Sequence, residues 1–198
     1  MPVKVLLIGD SNTMRIRFAP TVPEQRLLAI DGVPFIKVDG LNDTVFSCAG
    51  LPGLPGLPRT PTSLDDVNLK SFTHIIVAIG INEAKLKRGD VYLQDKAREI
   101  LSYGRHLLKI LPGVKVFVTE TLPSLDSRIS RNARILSDCL REGCGEDIIF
   151  ISLPEQLKSR CGNLNSLFAK KGEKVALHLN GRGLRCYMKA IRLAVQRS

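Results

Sequence analysis

The sequence predicts an α/β domain, a parallel sheet of five strands covered by helices. Short apolar runs alternate with longer amphipathic segments along the whole chain, the order expected when each strand is followed by a crossover helix. The runs (VLLI, HIIVAI, VFVT, IIFI) are continuous and do not alternate with polar residues, as strands buried on both faces require. No repeat or linker composition divides the 198 residues, and 44% of them are hydrophobic. One domain spanning 1–198 is therefore expected.

The predicted strands are Lys4–Ile8, Val45–Cys48, His74–Ile79, Lys115–Thr119 and Ile148–Ile151. After the second, residues 50–58 read GLPGLPGLP; a collagen triple helix needs far longer arrays and three chains, so this is a proline-stiffened loop. Asp90–Leu111 is the clearest helix. Ala97, Ile100, Leu101, Leu107, Leu108 and Leu111 form its apolar stripe, and Pro112-Gly113 ends it. Ser127–Arg141, ended by Gly143, and Gly181–Arg197 are two further amphipathic helices.

Five cysteines, an odd number with no CxxC pair, indicate neither a disulfide framework nor a zinc site. The N-terminal apolar run Val3–Ile8 is too short for a signal sequence, and no stretch has the length of a membrane span. The expected setting is intracellular, cytoplasmic or nuclear, with reduced thiols. No cofactor and no metal is expected.

Four short blocks carry chemistry. Gly9-Asp10-Ser11-Asn12 follows the first strand directly and places a serine hydroxyl at the carboxyl edge of the sheet, where open α/β folds bind ligands. Gly50 follows the second strand, and Gly80-Ile81-Asn82-Glu83 the third. His178-Leu179-Asn180 lies near the C-terminus. A serine near residue 10 and a histidine near the end suggest a nucleophile and a base that folding brings together. His74 falls inside a buried strand and His106 on a long helix, so both read as structural.

In order and approximate spacing these blocks resemble those of the SGNH, or GDSL-type, hydrolases, and the resemblance runs from residue 3 to residue 190. It implies a three-layer α/β/α, flavodoxin-like sandwich with a mainly parallel five-stranded sheet, and esterase, lipase or deacetylase activity on acyl esters. The last block is most similar to the esterase domain of the first open-reading-frame protein of LINE-type retrotransposons. It also resembles the related domain of the germ-plasm protein Oskar, where the fold is an RNA-binding module without esterase activity.

The residue chemistry agrees with that resemblance. Ser11 Oγ is a weak nucleophile until an imidazole, here that of His178, takes its proton. The backbone N–H groups of Ser11 and Gly50 and the side-chain amide of Asn82 are neutral donors suited to an oxyanion. Asp10, Asn12 and Glu83 are expected to contact the substrate, Glu83 standing where the family usually has Asp. The second departure is larger. The family's acid lies three residues before the histidine, at Val175 in this chain. An acid reaching in from Glu173, a backbone carbonyl orienting a Ser-His dyad, and a decayed site all remain compatible with the sequence.

A net charge of +10 points to a second class of function. Arg182, Arg185, Lys189 and Arg192 recur at spacings of three, four and three, opposite an apolar face of Leu184, Met188, Ile191 and Val195. Lys85, Lys87 and Arg88 follow the Asn82 block, and Arg128, Arg131, Arg134 and Arg141 form a third cluster. Seven Phe, three Tyr and no Trp leave little for base stacking, so contacts to phosphates are expected if nucleic acid is bound. The sequence thus supports a serine esterase taking a small acyl ester, with an RNA-binding or polyanion-binding module as the alternative.

Overall fold

A computed structural model describes residues 5–13, 28–29, 36–37, 62–63, 72–154, 157, 167–168 and 177–198. Its main sheet contains β1 (Val5–Gly9), β5 (His74–Ala78), β6 (Lys115–Thr119) and β7 (Ile149–Ile151). The two-residue strand β2 (Leu28–Ala29) joins at the β1 edge. The order is β2-β1-β5-β6-β7, every pairing parallel, and β3 (Ile36–Lys37) pairs separately with β4 (Thr62–Ser63). The predicted strand Val45–Cys48 and the GLPGLPGLP stretch lie outside the described residues. The strand beside β1 lies in the short apolar run LLAI at 27–30, which the sequence reading did not assign as a strand.

Four helices follow these strands, the last three of them predicted from the sequence. They are α1 (Ile81–Lys85), α2 (Asp90–Ile110), α3 (Ser127–Gly143) and α4 (Gly181–Arg197). Asp126 starts α3 by accepting a hydrogen bond from the Ile129 N–H at 3.0 Å, one of the orphan donors that every helix start exposes.

The continuous apolar runs are explained by the layers. Leu6 and Ile8 of β1, Ile75 and Val77 of β5, and Val116 and Val118 of β6 face α2 and α3, packing with Ile100, Leu107, Leu136 and Leu140. The intervening residues Val5, Leu7, Ile76, Ala78 and Phe117 face the opposite side, with Leu184, Tyr187, Met188 and Ile191 of α4. A period of two therefore divides each run between two cores, and the result is a three-layer sandwich. Burying each such side chain contributes roughly 1.5–3 kcal/mol.

The strand order places the site. The chain leaves β1 toward β2, then returns to the other side of β1 as β5 and continues outward to β6 and β7. The crevice where the order reverses opens at the carboxyl ends of β1 and β5. Residues 10–13 follow the first of these strands, and 79–83 follow the second.

Candidate active site

Ser11 begins a helical turn immediately after β1, and Asp10 closes the bend before it. The Asp10 carboxylate accepts the Asn12 N–H at 2.8 Å, and the Asp10 N–H donates to Ala78 O at 3.4 Å. This local Asx-type bond holds the turn. His178 sits just ahead of α4, which begins where Asn180 accepts the Arg182 and Gly183 N–H groups. His178 Nε2 and Ser11 Oγ are 2.9 Å apart, across 167 residues of sequence. That is hydrogen-bonding distance between a hydroxyl and an imidazole.

The Asn82 block depends on Gly80. This residue ends the segment after β5 with φ of 134°, and a Cβ there would lie 2.6 Å from Thr121 Oγ1 and 2.8 Å from Leu136 Cδ2. Only glycine adopts this backbone without strain. Asn82 follows on α1, half-buried, at the carboxyl end of β5. Gly50, Glu173 and Val175 lie outside the described residues.

The side chains of Asp10, Asn12 and Glu83, expected to contact the substrate, are buried, as is that of Ser11. The Asn12 carboxamide accepts the Leu179 N–H at 2.9 Å and donates to Leu177 O at 3.2 Å, so its polar atoms are spent on the histidine loop. Burial pushes the Asp10 carboxyl up to about 6, against hydrogen bonds to Asn12 and Thr13 that lower it. Glu83 is pushed up to about 8, chiefly by burial, with the Asp10 and Glu99 carboxylates acting in the same direction and Lys96 against it. Both shifts favour the neutral acid, because the charged form loses its water.

Lys96 escaped the sequence reading. It lies on the buried face of α2, and its Nζ bonds both Glu99 oxygens, at 2.9 and 2.8 Å. Its position beside Ala97 in the apolar stripe was the available signal. His74 is buried at the start of β5, stacked on Phe117 with ring centroids 5.8 Å apart. Burial, with the Lys115 charge, lowers its pKa. It lies at the opposite end of its strand from the Asn82 block, and His106 is exposed on α2.

The basic clusters differ in their pairing. Arg131 forms a two-pronged bridge to Asp90 at 3.1 and 3.0 Å. Arg141 pairs with Asp138, and Arg128 donates to Lys85 O and Leu86 O. Lys85, Lys87 and Arg88 are exposed, as are Arg182, Arg185, Lys189 and Arg192 along one face of α4. The α4 segment contains no acidic residue. Arg182 and Lys189 also line a cleft of about 810 Å³ between α4 and β7.

No family model and no curated protein matches the sequence. Solved structures do match across nearly its full length. A GDSL-like lipase from Bacteroides thetaiotaomicron superposes with a TM-score of 0.57 at 13% identity, over 98% of this chain and 88% of that one. A carbohydrate acetylesterase from Sinorhizobium meliloti gives 0.53 at 15% identity, over 98% and 99%. The native aryl esterase of M. smegmatis gives 0.53 at 16% identity, over 98% of both chains. The chain therefore has the α/β fold found in GDSL-type lipases and esterases.

Proposed function

We propose that this chain is a serine acyl-ester hydrolase of the SGNH type, with Ser11 as nucleophile and His178 as general base. The observation that carries the reading is the 2.9 Å approach of His178 Nε2 to Ser11 Oγ at the sheet's switch point. Ser11 Oγ attacks the ester carbonyl carbon while its proton passes to His178 Nε2, and the carbonyl π bond becomes an oxyanion. The Ser11 N–H, the Asn82 amide and the Gly50 N–H supply the donors for that charge. Removing one such donor typically costs about 10²–10³ in kcat. Collapse re-forms the carbonyl and expels the alkoxide, which takes the proton from His178. Water then attacks the acyl-serine by the same route and releases the carboxylic acid.

A fluorophosphonate probe tests this directly. Ser11 Oγ displaces fluoride from phosphorus, forming a stable O–P bond. Labelling at Ser11 that is lost in Ser11→Ala and falls at least about 100-fold in His178→Ala is expected. Labelling that persists in Ser11→Ala, or is indifferent to His178, would overturn the reading.

The exposed cationic face of α4 supports a second reading, binding of RNA or another polyanion through phosphate contacts. The resemblance of the His178-Leu179-Asn180 block to retroelement esterase domains is compatible with both activities in one chain. Fluorescence anisotropy with a single-stranded RNA near physiological ionic strength tests it. Binding seen only at low salt would count against it.

A further inference from the structure

Asn12, which follows the nucleophile directly, is tied to the backbone on both sides of His178. Its Oδ1 accepts the Leu179 N–H at 2.9 Å, and its Nδ2 donates to Leu177 O at 3.2 Å. The side chain is almost fully buried, at 1% exposure, and the Leu179 bond is buried with it. We infer that Asn12 is the positioning residue of the Ser11–His178 pair, a carboxamide clamp that sets the imidazole against the serine by gripping the main chain on either side of it. The inference rests on the esterase reading of the site.

The geometry closes a ring. From Ser11 Oγ the path runs to His178 Nε2, along the main chain to the Leu179 N–H, across to Asn12 Oδ1, and back through one peptide bond to Ser11. The bond to Leu177 O anchors the other side of the histidine. Three hydrogen bonds thus join two short segments separated by 165–167 residues. The Asn12 N–H is itself held by the Asp10 carboxylate at 2.8 Å, which ties the clamp to the end of β1. On its far side the loop is fixed independently, by an antiparallel bridge from Leu179 to Phe168 and by the Asn180 N–H donating to Leu167 O at 2.8 Å.

The chemistry of the clamp selects asparagine. The two backbone groups present one donor and one acceptor, and a carboxamide offers the complementary pair from a single planar group. A carboxylate meets the Leu179 N–H but sets a second lone pair against Leu177 O. Alanine meets neither and takes from the buried Leu179 N–H the acceptor that Asn12 Oδ1 supplies. Because the contacts are to main chain, the clamp governs where the ring sits. It would act on the rate of proton transfer and leave ester binding largely alone.

The experiment compares Asn12→Ala and Asn12→Asp with wild type in fluorophosphonate labelling at Ser11 and in hydrolysis of p-nitrophenyl acetate, each protein's fold being checked by far-UV circular dichroism. A misplacement of about 1 Å can cost about 10²-fold, so labelling by Asn12→Ala is expected to slow by about 30–100-fold. Its kcat should fall by the same factor with KM within about twofold. Asn12→Asp, which keeps one of the two bonds, is expected between alanine and wild type. Labelling within about twofold of wild type by either folded variant overturns the clamp, as does a loss that appears in KM alone. Should the alanine variant fail to fold, the near-isosteric aspartate variant decides by the same criterion. Wild-type protein that is not labelled at Ser11, or a His178→Ala variant labelled at the wild-type rate, refutes the esterase reading itself and is read separately.

Discussion

Asn180 Oδ1 accepts hydrogen bonds from both the Arg182 N–H, at 2.9 Å, and the Gly183 N–H, at 3.1 Å, and so fixes the start of α4 two residues after His178. Its Nδ2 donates to Phe168 O at 3.3 Å. One side chain therefore caps the helix and pins the loop that carries the imidazole. Replacing an N-cap asparagine with alanine costs about 0.5–2 kcal/mol. Asn180→Ala should lower stability to urea by about that amount, and Asn180→Asp, which retains the cap acceptor, should recover most of it. Equal losses in the two variants would place the stabilisation in the Nδ2 bond.

Glu83 makes stability depend on pH. Its folded pKa of about 8 lies above the ordinary 4.5, so the native state holds a proton that the unfolded chain releases between those values. Stability from this group is fully present below about pH 4.5 and is lost as pH rises toward 8. Asp10, raised from 3.8 to about 6, acts in the same direction over a lower window. Thermal melting should therefore fall from pH 5 to pH 8 in wild type, and fall less in Glu83→Gln. Parallel profiles for the two proteins would show that Glu83 is not the titrating group.

Gly80 and Gly183 should not tolerate a methyl group. At Gly80 an alanine combines a forbidden backbone angle with clashes against Thr121 and Leu136. The expected cost is about 2–4 kcal/mol. At Gly183, inside α4, the new Cβ would run into Leu167 O, which is main chain and cannot rotate away. Gly183→Ala should therefore destabilise, although alanine in a helix interior normally stabilises by about 1 kcal/mol relative to glycine. Urea denaturation of both variants measures this, and a stabilised Gly183→Ala would show that the segment at Leu167 is free to shift.

The α4 face sets the expected salt dependence of any polyanion binding. For single strands, the slope of log K against log salt is about −0.7 for each phosphate neutralised. Replacing Arg182, Arg185, Lys189 and Arg192 together by glutamine should make the slope shallower by about 3. Replacing Arg131 and Arg141, which already pair with Asp90 and Asp138, should change it little. A titration series in potassium chloride distinguishes the two sets.

Where periodicity is strong, the sequence was a good guide. Gly181–Arg197 was read with the bounds the structure has, and the predicted α2 differs by one residue, because both helices bury a regular stripe and have clear ends. The central strands were equally legible as unbroken apolar runs, with ends shifted by one residue at Gly9, Ile79 and Ile148. The two-residue β2 was not read, although the apolar run LLAI at 27–30 surrounds it; the second strand was expected at Val45–Cys48. The meeting of Ser11 and His178 was legible, whereas the burial of Asp10, Asn12 and Glu83 was not. Polar residues in a turn look the same in sequence whether they face water or spend their hydrogen bonds on a distant loop. Only the meeting of residues 12 and 177–179 reveals which applies.

The switch-point topology has a consequence for when the site comes into being. The turn bearing Ser11 belongs to the first strand of the sheet, whereas His178 is held in the segment that leads into the last helix. A nascent chain would complete β1, β5, β6 and β7 before the partner of its serine had left the ribosome. The Ser11–His178 contact thus forms after the strands of the sheet have been synthesised, when α4 docks on its side of the sheet. Reactivity at Ser11 would then report, in real time, that α4 has found its place.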